Sequence, residues 1–428
     1  EGISVRVMKA AIVLLVSLFV VLGVAAGKRK LRPAARDLSP QPASCRLVLA
    51  PLTVDKLIDQ EIARQQALIL NGSTSNLERL GWTFVKKARL SFDAGFYKLA
   101  EQCAACMEAR GASGPDALWL RAHALQSLHH FAEAESAARE LVTLRERPFD
   151  YGVLGDVLID QGKVREGAAA YQKMVDLRPD LQSYARAAHV RWLTGDLDGA
   201  LELMKLATAA SSPNDPEAAA WAFTRLALYQ LQHGATKQAL ESCDAGLSLQ
   251  SDYAPAMLAR GRTLLAMNRA GEALIELQRA AKLNPLPEYQ WALEDVLNVK
   301  SQISDTEDPR TLSLCLATRH QDVERAVKLA EQELANRGDV FTHDALAWAL
   351  AAAGRTTEAQ QHINQALSEG TADARLYLHA GVIAALNNDH KQARRWLQEA
   401  AAIKQMLLPS ERAQLDAWRE RVRQKPKE

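Results

Sequence analysis

The stretch from Phe149 to Pro179 reads FDYGVLGDVLIDQGKVREGAAAYQKMVDLRP. Two helix-favouring halves meet at residues 161–163 (Gln-Gly-Lys), and Pro179 closes the second half. Glycine readily adopts the left-handed conformation that ends a helix, and proline cannot continue one. The stretch therefore predicts two helices joined by a tight turn.

The same pattern recurs along the chain. A small residue falls in the middle of each second helix, and most of these residues are 33 or 34 positions apart. They are Ala100, Ala134, Gly167, Ala200, Ala239, Ala273, Ala326, Ala359 and Ala393. Two steps are longer, because SSPNDPEA at 211–218 extends one loop and residues 286–310 interrupt the phase.

This period and the pattern within each unit resemble the tetratricopeptide repeat, a helix–turn–helix of 34 residues. The unit quoted above carries the signature residues Tyr151, Leu154, Gly155, Leu158, Gly162, Gly167, Tyr171 and Pro179. The resemblance covers roughly residues 78–406. It implies an all-α, right-handed α-solenoid of about nine repeats with a C-terminal capping helix, in which stacked neighbours bury the face that a single helix pair leaves open.

Seven segments are expected in chain order. They are a signal peptide or membrane anchor (1–27), a Pro-containing linker (28–52), an amphipathic helix (53–72), an N-terminal array of six repeats (78–285), a degenerate repeat or hinge (286–310), a C-terminal array of three repeats (311–406), and a capping helix and tail (407–428).

The N-terminal segment indicates a membrane-related address. Residues 11–27, AIVLLVSLFVVLGVAAG, carry no charge and follow Arg6 and Lys9. This is typical of an export signal, so we expect a protein of the bacterial cell envelope, periplasmic or extracellular, with the segment cleaved or anchored through residues 8–27. The basic stretch KRKLRPAAR that follows favours the alternative of a membrane-tethered cytoplasmic regulator.

Composition argues against catalysis and nucleic-acid binding. The formal net charge is +1, the ten histidines are scattered, and no nucleotide-binding, hydrolase or zinc-protease motif occurs. We therefore expect no enzyme activity, no cofactor, no metal and no nucleic-acid partner. Cys103 and Cys106 form a C-x-x-C pair, for which a structural role is favoured. A local disulfide, a metal site or a thiol-redox accessory function remains the alternative.

The resemblance also implies where a partner binds. In this family the first helix of each repeat lines a concave groove, and carrying its contact positions over predicts the partner-binding residues Trp119, His123, Asp156, Asp160, His189, Trp192, Trp221, Leu228, Arg262, Asp344 and Trp348. Tryptophan and arginine are enriched in binding hot spots, although these tryptophans could equally fill the spaces between helix pairs. The expected function is a non-catalytic scaffold or adaptor that holds a protein or peptide in this groove.

Overall fold

The computed structural model describes residues 41–73, 75–299 and 308–424. Within these ranges the chain forms 22 α-helices, a short 3-10 turn at Lys404–Met406 and no strand. The all-α solenoid predicted from the sequence is therefore confirmed. The helices are α1 Ala43–Leu49, α2 Leu57–Leu70, α3 Asn76–Ser91, α4 Gly95–Ala109, α5 Pro115–Ser127, α6 Phe131–Arg145, α7 Pro148–Asp160, α8 Val164–Leu177, α9 Leu181–Leu193, α10 Leu197–Ala209, α11 Pro216–Gln232, α12 Thr236–Leu249, α13 Ala254–Ala266, α14 Ala270–Leu283, α15 Pro287–Leu297, α16 Pro309–Arg319, α17 Val323–Leu334, α18 Val340–Ala352, α19 Thr356–Ala366, α20 Ala374–Leu386, α21 His390–Ala402 and α22 Pro409–Gln424.

The helices pack in consecutive pairs. Six pairs run from α3–α4 to α13–α14, α15 follows alone, and three further pairs run from α16–α17 to α20–α21 before α22. We call the first helix of each pair its A helix and the second its B helix. Most A helices pack on the next A helix, and side-chain contacts connect α7 to α9 and α9 to α11. We call the set of A helices the A-helix layer.

Small residues set the distance between the two helices of a pair. In the pair α7–α8, a Cβ atom on Gly155 would lie 2.3 Å from the Tyr171 ring, so only glycine lets the ring pack there. Gly162 ends α7 with a φ angle of 75°, the left-handed region that favours glycine. The repeat pattern in the sequence is thus a packing pattern between an A helix and its own B helix.

The structure corrects the predicted linker at 28–52. Residues 43–49 form α1, whose Cys45, Val48 and Leu49 are buried against α4. A disulfide joins Cys45 to Cys106, and the Gln66 side chain donates hydrogen bonds to the Val48 and Ala50 carbonyls at 2.8 and 2.9 Å. The cross-link holds a helix that is too short to be stable by itself.

The predicted signal or anchor at 1–27 lies outside the described residues. Among the helices that the structure describes, none combines the length and the apolar character that a membrane span requires.

The C-terminal repeats return to the N-terminal repeats. Their connecting loops touch the ends of A helices from the third, fourth and fifth pairs. Gly338 meets Gly162, the Thr371 hydroxyl donates to the Leu193 carbonyl at 2.6 Å, and the Gln405 side chain donates to the Gln232 carbonyl at 2.7 Å. We call this region, defined by these six residues, the interturn contact. It brings successive turns of the solenoid directly together.

Candidate protein-binding surface

The eleven residues predicted to bind a partner all lie on A helices. Trp119 and His123 are on α5, Asp156 and Asp160 on α7, His189 and Trp192 on α9, Trp221 and Leu228 on α11, Arg262 on α13, and Asp344 and Trp348 on α18. The structure therefore places them in one layer. Most of their polar groups, however, are already engaged within the chain.

Asp156 belongs to a hydrogen-bonded network between α7, α8 and α9. Its carboxylate accepts from the Arg186 guanidinium at 2.7 and 2.8 Å and from the Tyr171 hydroxyl at 2.7 Å. Burial by itself would raise the pKa of Asp156, yet Arg186 and Tyr171 leave it below its usual value. The network joins two successive repeats and leaves Asp156 satisfied without a partner.

Asp160 lies beside the interturn contact. Its carboxylate accepts from Gln126 at 2.8 Å and from Arg337 at 2.7 Å, and Arg337 is 177 positions further along the chain. Arg337 also donates to Asp339 at 2.8 Å, which Arg310 contacts at 3.1 Å. Burial raises the pKa of Asp160, and Arg337 offsets only part of this shift. These charges join the two turns of the solenoid.

Trp192 also reaches the C-terminal repeats. Its ring stacks on Phe341 of α18 at a centroid distance of 5.7 Å and an interplanar angle of 12°. The indole nitrogen donates to the Gln232 side chain at 2.8 Å, and Gln232 in turn donates to the Ala372 carbonyl at 2.6 Å. The His189 ring also stacks on the Trp192 ring, at a centroid distance of 5.7 Å. In this arrangement Trp192 connects repeats to one another.

Trp119 and His123 face a residue that the sequence prediction missed. The Trp82 ring on α3 lies 4.3 Å from that of Trp119 and 5.3 Å from that of His123. Trp82 directly follows Gly81, just as Asp156 directly follows Gly155. The alignment of the repeats would therefore also have predicted Trp82 as a partner-binding residue. Burial and nearby arginines lower the pKa of His123 to about 4. The two tryptophans and the neutral imidazole form an aromatic cluster on the first two A helices.

Asp344 and Trp348 are enclosed among the C-terminal repeats. The Trp348 ring is 4% exposed, stacks on His379 at 4.1 Å and donates through its nitrogen to Thr318 at 3.0 Å. The Asp344 carboxylate lies 2.8 Å from the His379 ring nitrogen. Both side chains therefore pack between helices. For Trp348 this agrees with the alternative that the tryptophans fill the spaces between helix pairs.

The remaining predicted residues differ in exposure. Trp221 is 40% exposed, the largest accessible aromatic surface among the predicted residues. Leu228 packs against a small apolar cluster that contains Cys243, and Arg262 is paired with Glu288 at 2.8 Å. The open part of the predicted surface thus lies on α11.

Two segments of the chain, each containing A and B helices, match a known family model. The model, described as tetratricopeptide repeat, matches residues 153–219 and 345–405. Residues 153–219 and 345–405 are therefore similar to tetratricopeptide repeats. These matches cover α7–α10 in the N-terminal array and α18–α21 in the C-terminal array almost completely. No curated protein matches the chain.

Solved structures match the chain at low sequence identity. YrrB, described as a tetratricopeptide-repeat protein with an unusual peptide-binding site, is 16% identical over 44% of this chain and 94% of its own, with a TM-score of 0.32. PilF of Pseudomonas aeruginosa is 15% identical over 59% and 90%, with a TM-score of 0.30. Human IFIT1, a dimer with PPP-AAAA, is 14% identical over 77% and 72%, with a TM-score of 0.43.

Cys103 and Cys106 are both buried and are not bonded to each other, so the alternative of a local disulfide is wrong. Cys106 is bonded to Cys45, and Cys103 is a free, fully buried thiol whose pKa burial raises well above its usual value. A redox-active thiol needs access and a lowered pKa. The structure therefore contradicts the thiol-redox alternative, and the C-x-x-C spacing reflects two different packing roles on α4.

Metal-binding geometry is limited to pairs of side chains. Within residues 41–73, 75–299 and 308–424, no three His, Cys, Asp or Glu side chains converge as possible ligands. The nearest approach of two histidines is between His343 and His362, whose Nδ1 atoms are 3.2 Å apart. A single hydrogen bond between the two rings accounts for that distance.

Proposed function

We propose that the chain is a non-catalytic scaffold or adaptor that binds a protein or peptide on its layer of A helices, in a bacterial envelope assembly. Tetratricopeptide-repeat proteins generally serve as protein-interaction scaffolds. The observation that carries the proposal is the exposed Trp221 on α11, because large aromatic side chains at an accessible inner surface are typical anchors for a partner.

The same helix defines the limits of this surface. At the N-terminal end of α11, Glu217 pairs with Arg89 of the first repeat at 3.2 Å. At its C-terminal end, Gln232 hydrogen-bonds to Ala372 and Gln405 of the C-terminal repeats. The accessible surface around Trp221 lies between two closed ends, so it suits a narrow chain segment better than a folded domain.

An exported location is part of the proposal. The Cys45–Cys106 disulfide supports it, because cytosolic thiols are normally kept reduced. The uncharged stretch at 11–27 is a second, sequence-based support. A reporter fused after residue 40 tests the topology. Reporter activity only in the cytoplasm would contradict export and favour the tethered cytoplasmic regulator.

The binding proposal is tested by partner capture with two tryptophan variants. The purified chain serves as bait in an extract of its source organism, with mild crosslinking and mass spectrometry. We expect Trp221→Ala to lose the captured partner while its unfolding temperature changes little, because the side chain is 40% exposed. Trp192→Ala is expected to lower the unfolding temperature, because it removes the stacking on Phe341. Unchanged capture by Trp221→Ala would contradict the proposed surface.

A further inference from the structure

Arg225 differs from most arginines of the A helices: Arg79 on α3 also forms no ion pair among the described residues, but Arg79 is exposed whereas Arg225 is half-buried. Along the A helices that the structure describes from α5 to α20, every other arginine has a carboxylate partner. These are Arg121, Arg186, Arg191, Arg260, Arg262, Arg310, Arg319 and Arg375. No carboxylate of the described ranges forms an ion pair with Arg225. A half-buried cation without a counter-ion can accept an anionic group from a partner without breaking an existing ion pair.

Aromatic rings hold Arg225 in place. Its guanidinium carbon lies 5.8 Å from the centre of the Trp192 ring and 5.3 Å from that of Tyr229, and one nitrogen lies 3.3 Å from the Tyr229 hydroxyl. Ring faces attract a guanidinium and fix its plane, but they supply no negative charge. The group is therefore oriented in advance, and most of its N–H donors remain available.

Both signs of charge lie near Arg225: Asp156 and Asp339 also act on the nearby His189, and each of these carboxylates is paired with another arginine. His189, on the neighbouring A helix, has its pKa lowered to about 4 by burial and then by the charge of Arg225. The nearby carboxylate of Asp156 is occupied by Arg186. An incoming carboxylate would thus meet a positive charge that the chain itself leaves unneutralised, in surroundings that screen charge less than bulk water.

Trp221 lies one helical turn before Arg225 on the same face of α11. Four residues of α-helix rise about 6 Å. An extended peptide rises about 3.3 Å per residue and points alternate side chains to one face, so its residues i and i+2 span about the same distance. One side chain of such a peptide can stack on Trp221 while the next but one meets Arg225.

We infer that Trp221 and Arg225 form a specificity subsite for an extended, acidic segment of a partner protein. An Asp or Glu side chain binds Arg225, and an apolar or aromatic side chain two positions away packs on Trp221. This inference rests on the proposed function and adds the chemistry of the ligand to it.

A peptide suits this subsite better than a nucleic acid. Nucleic-acid binding draws its affinity from several phosphate contacts, each made by a positive side chain. Here one unpaired guanidinium faces the inner layer, and the whole chain has a formal net charge of +1. One carboxylate beside one apolar group matches both the charge and the exposed ring.

The test is selection of peptides from a random heptapeptide phage library on the full, disulfide-bonded chain. The same selection is made on Trp221→Ala, Arg225→Gln and Arg225→Lys. Arg355→Gln serves as the control, since Arg355 forms an exposed ion pair with Glu358 on α19, far from this layer. Urea unfolding of each variant shows that it is folded. The strongest peptide and its Glu→Gln or Asp→Asn form are then compared by fluorescence anisotropy, together with a labelled single-stranded RNA 20-mer.

We expect peptides with an acidic residue two positions from an apolar one. Arg225→Gln and the amide form of the peptide are each expected to weaken binding about tenfold, the effect of losing one charge-assisted hydrogen bond, while Arg225→Lys retains part of it. Selected peptides without acidic residues, or equal affinity for Arg225→Gln, would overturn the inference and leave the proposed function standing. Failure to select any peptide would instead count against both. RNA binding that Arg225→Gln abolishes would assign the subsite to phosphate.

Discussion

Replacing Arg337 with glutamine removes the main charge that joins the two turns of the solenoid. Arg337 donates to Asp160 at 2.7 Å and to Asp339 at 2.8 Å, and its side chain is 20% exposed. After the change Asp160 keeps only Gln126 as a donor, whereas Asp339 keeps Arg310. The loss therefore falls mainly on Asp160, whose carboxylate is 16% exposed and whose pKa burial already raises.

The size of the effect follows from burial. Removing one partner of a fully buried ion pair costs about 3–5 kcal/mol, and an exposed pair contributes about 0–1 kcal/mol. Because Arg337 and Asp160 each retain some solvent contact, we expect Arg337→Gln to lower the free energy of unfolding by about 2–3 kcal/mol. The control Arg355→Gln removes an ion pair to Glu358 of the same 2.7 Å length, but at side-chain exposures of 43% and 51%, and should change the free energy of unfolding far less than Arg337→Gln does.

Urea unfolding measures the free energy of unfolding of both variants. Tryptophan fluorescence follows the surroundings of the eight tryptophans, of which Trp192 stacks between the two turns on Phe341, and far-UV circular dichroism follows the helices as a whole. In a repeat array, a weakened contact between distant repeats can separate the two signals, so the fluorescence transition should move to lower urea first. If Arg337→Gln and Arg355→Gln cost the same, or if the two signals stay superimposed at the wild-type midpoint, the interturn contact does not stabilise the fold as described.

Three other predictions concern the same fold. Cys45→Ser should lower the free energy of unfolding by about 2–4 kcal/mol, since the disulfide closes a loop with a sequence separation of 61, and reductant should then have no further effect on the variant. In urea unfolding, Gly162→Ala should lower the free energy of unfolding more than Gly234→Ala. Both glycines have a positive φ angle, so Gly234→Ala should cost about 1 kcal/mol, but only at Gly162 would the new Cβ also lie 2.4 Å from a backbone atom. Acid should lower the unfolding temperature, because His123 and His189 have pKa values of about 4 and stay neutral while the unfolded chain takes up protons near pH 6.5. Stability is therefore complete above pH 6.5 and falls towards pH 4, and a double histidine-to-glutamine variant with the same slope would refute this cause.

The helix pairs could be predicted from the sequence because each pair is encoded by residues close together in the chain. Gly155 and Tyr171 pack on each other, and Gly162 ends the helix between them. Such short-range requirements recur with the period of the unit, so the pattern is visible without the structure. The binding assignments of the eleven predicted residues remain predictions, although the structure places all of them on the A-helix layer.

The disulfide could not be predicted because one of its cysteines lies within a repeat and the other lies in the segment before the repeats. Cys106 lies in the first repeat, but Cys45 lies in a segment that four prolines made resemble a linker. The spacing of Cys103 and Cys106 offered a local disulfide as the alternative to a structural role. Cysteine connectivity depends on which helices pack together, and here α1 packs on α4 through residues that carry no repeat signature.

The interturn contact was hidden for a different reason. Gly162 and Gly195 each have a positive φ angle, which by itself explains a glycine at the end of an A helix. In the structure both glycines also face backbone of the C-terminal repeats, since added Cβ atoms would lie 2.4 Å from the Gly338 oxygen and 2.7 Å from the Gly370 oxygen. Glycine satisfies both the positive φ angle and the close approach of the backbone. The sequence therefore contains no separate signal for the close approach.

Closure of the solenoid also explains why the predicted surface divides into engaged and accessible residues. An open groove would leave every A-helix position of the right register available, as the family pattern implies. Here the returning repeats occupy Asp160 and Trp192, while the segment of α11 between Glu217 and Gln232 keeps Trp221 accessible. Because a rigid, closed inner layer admits only a narrow ligand, affinity must come from a few directed contacts rather than from a large buried area. An oriented guanidinium next to an exposed indole supplies two such contacts, which is why the pairing of Arg225 with Trp221, more than the number of aromatic residues, identifies the candidate subsite.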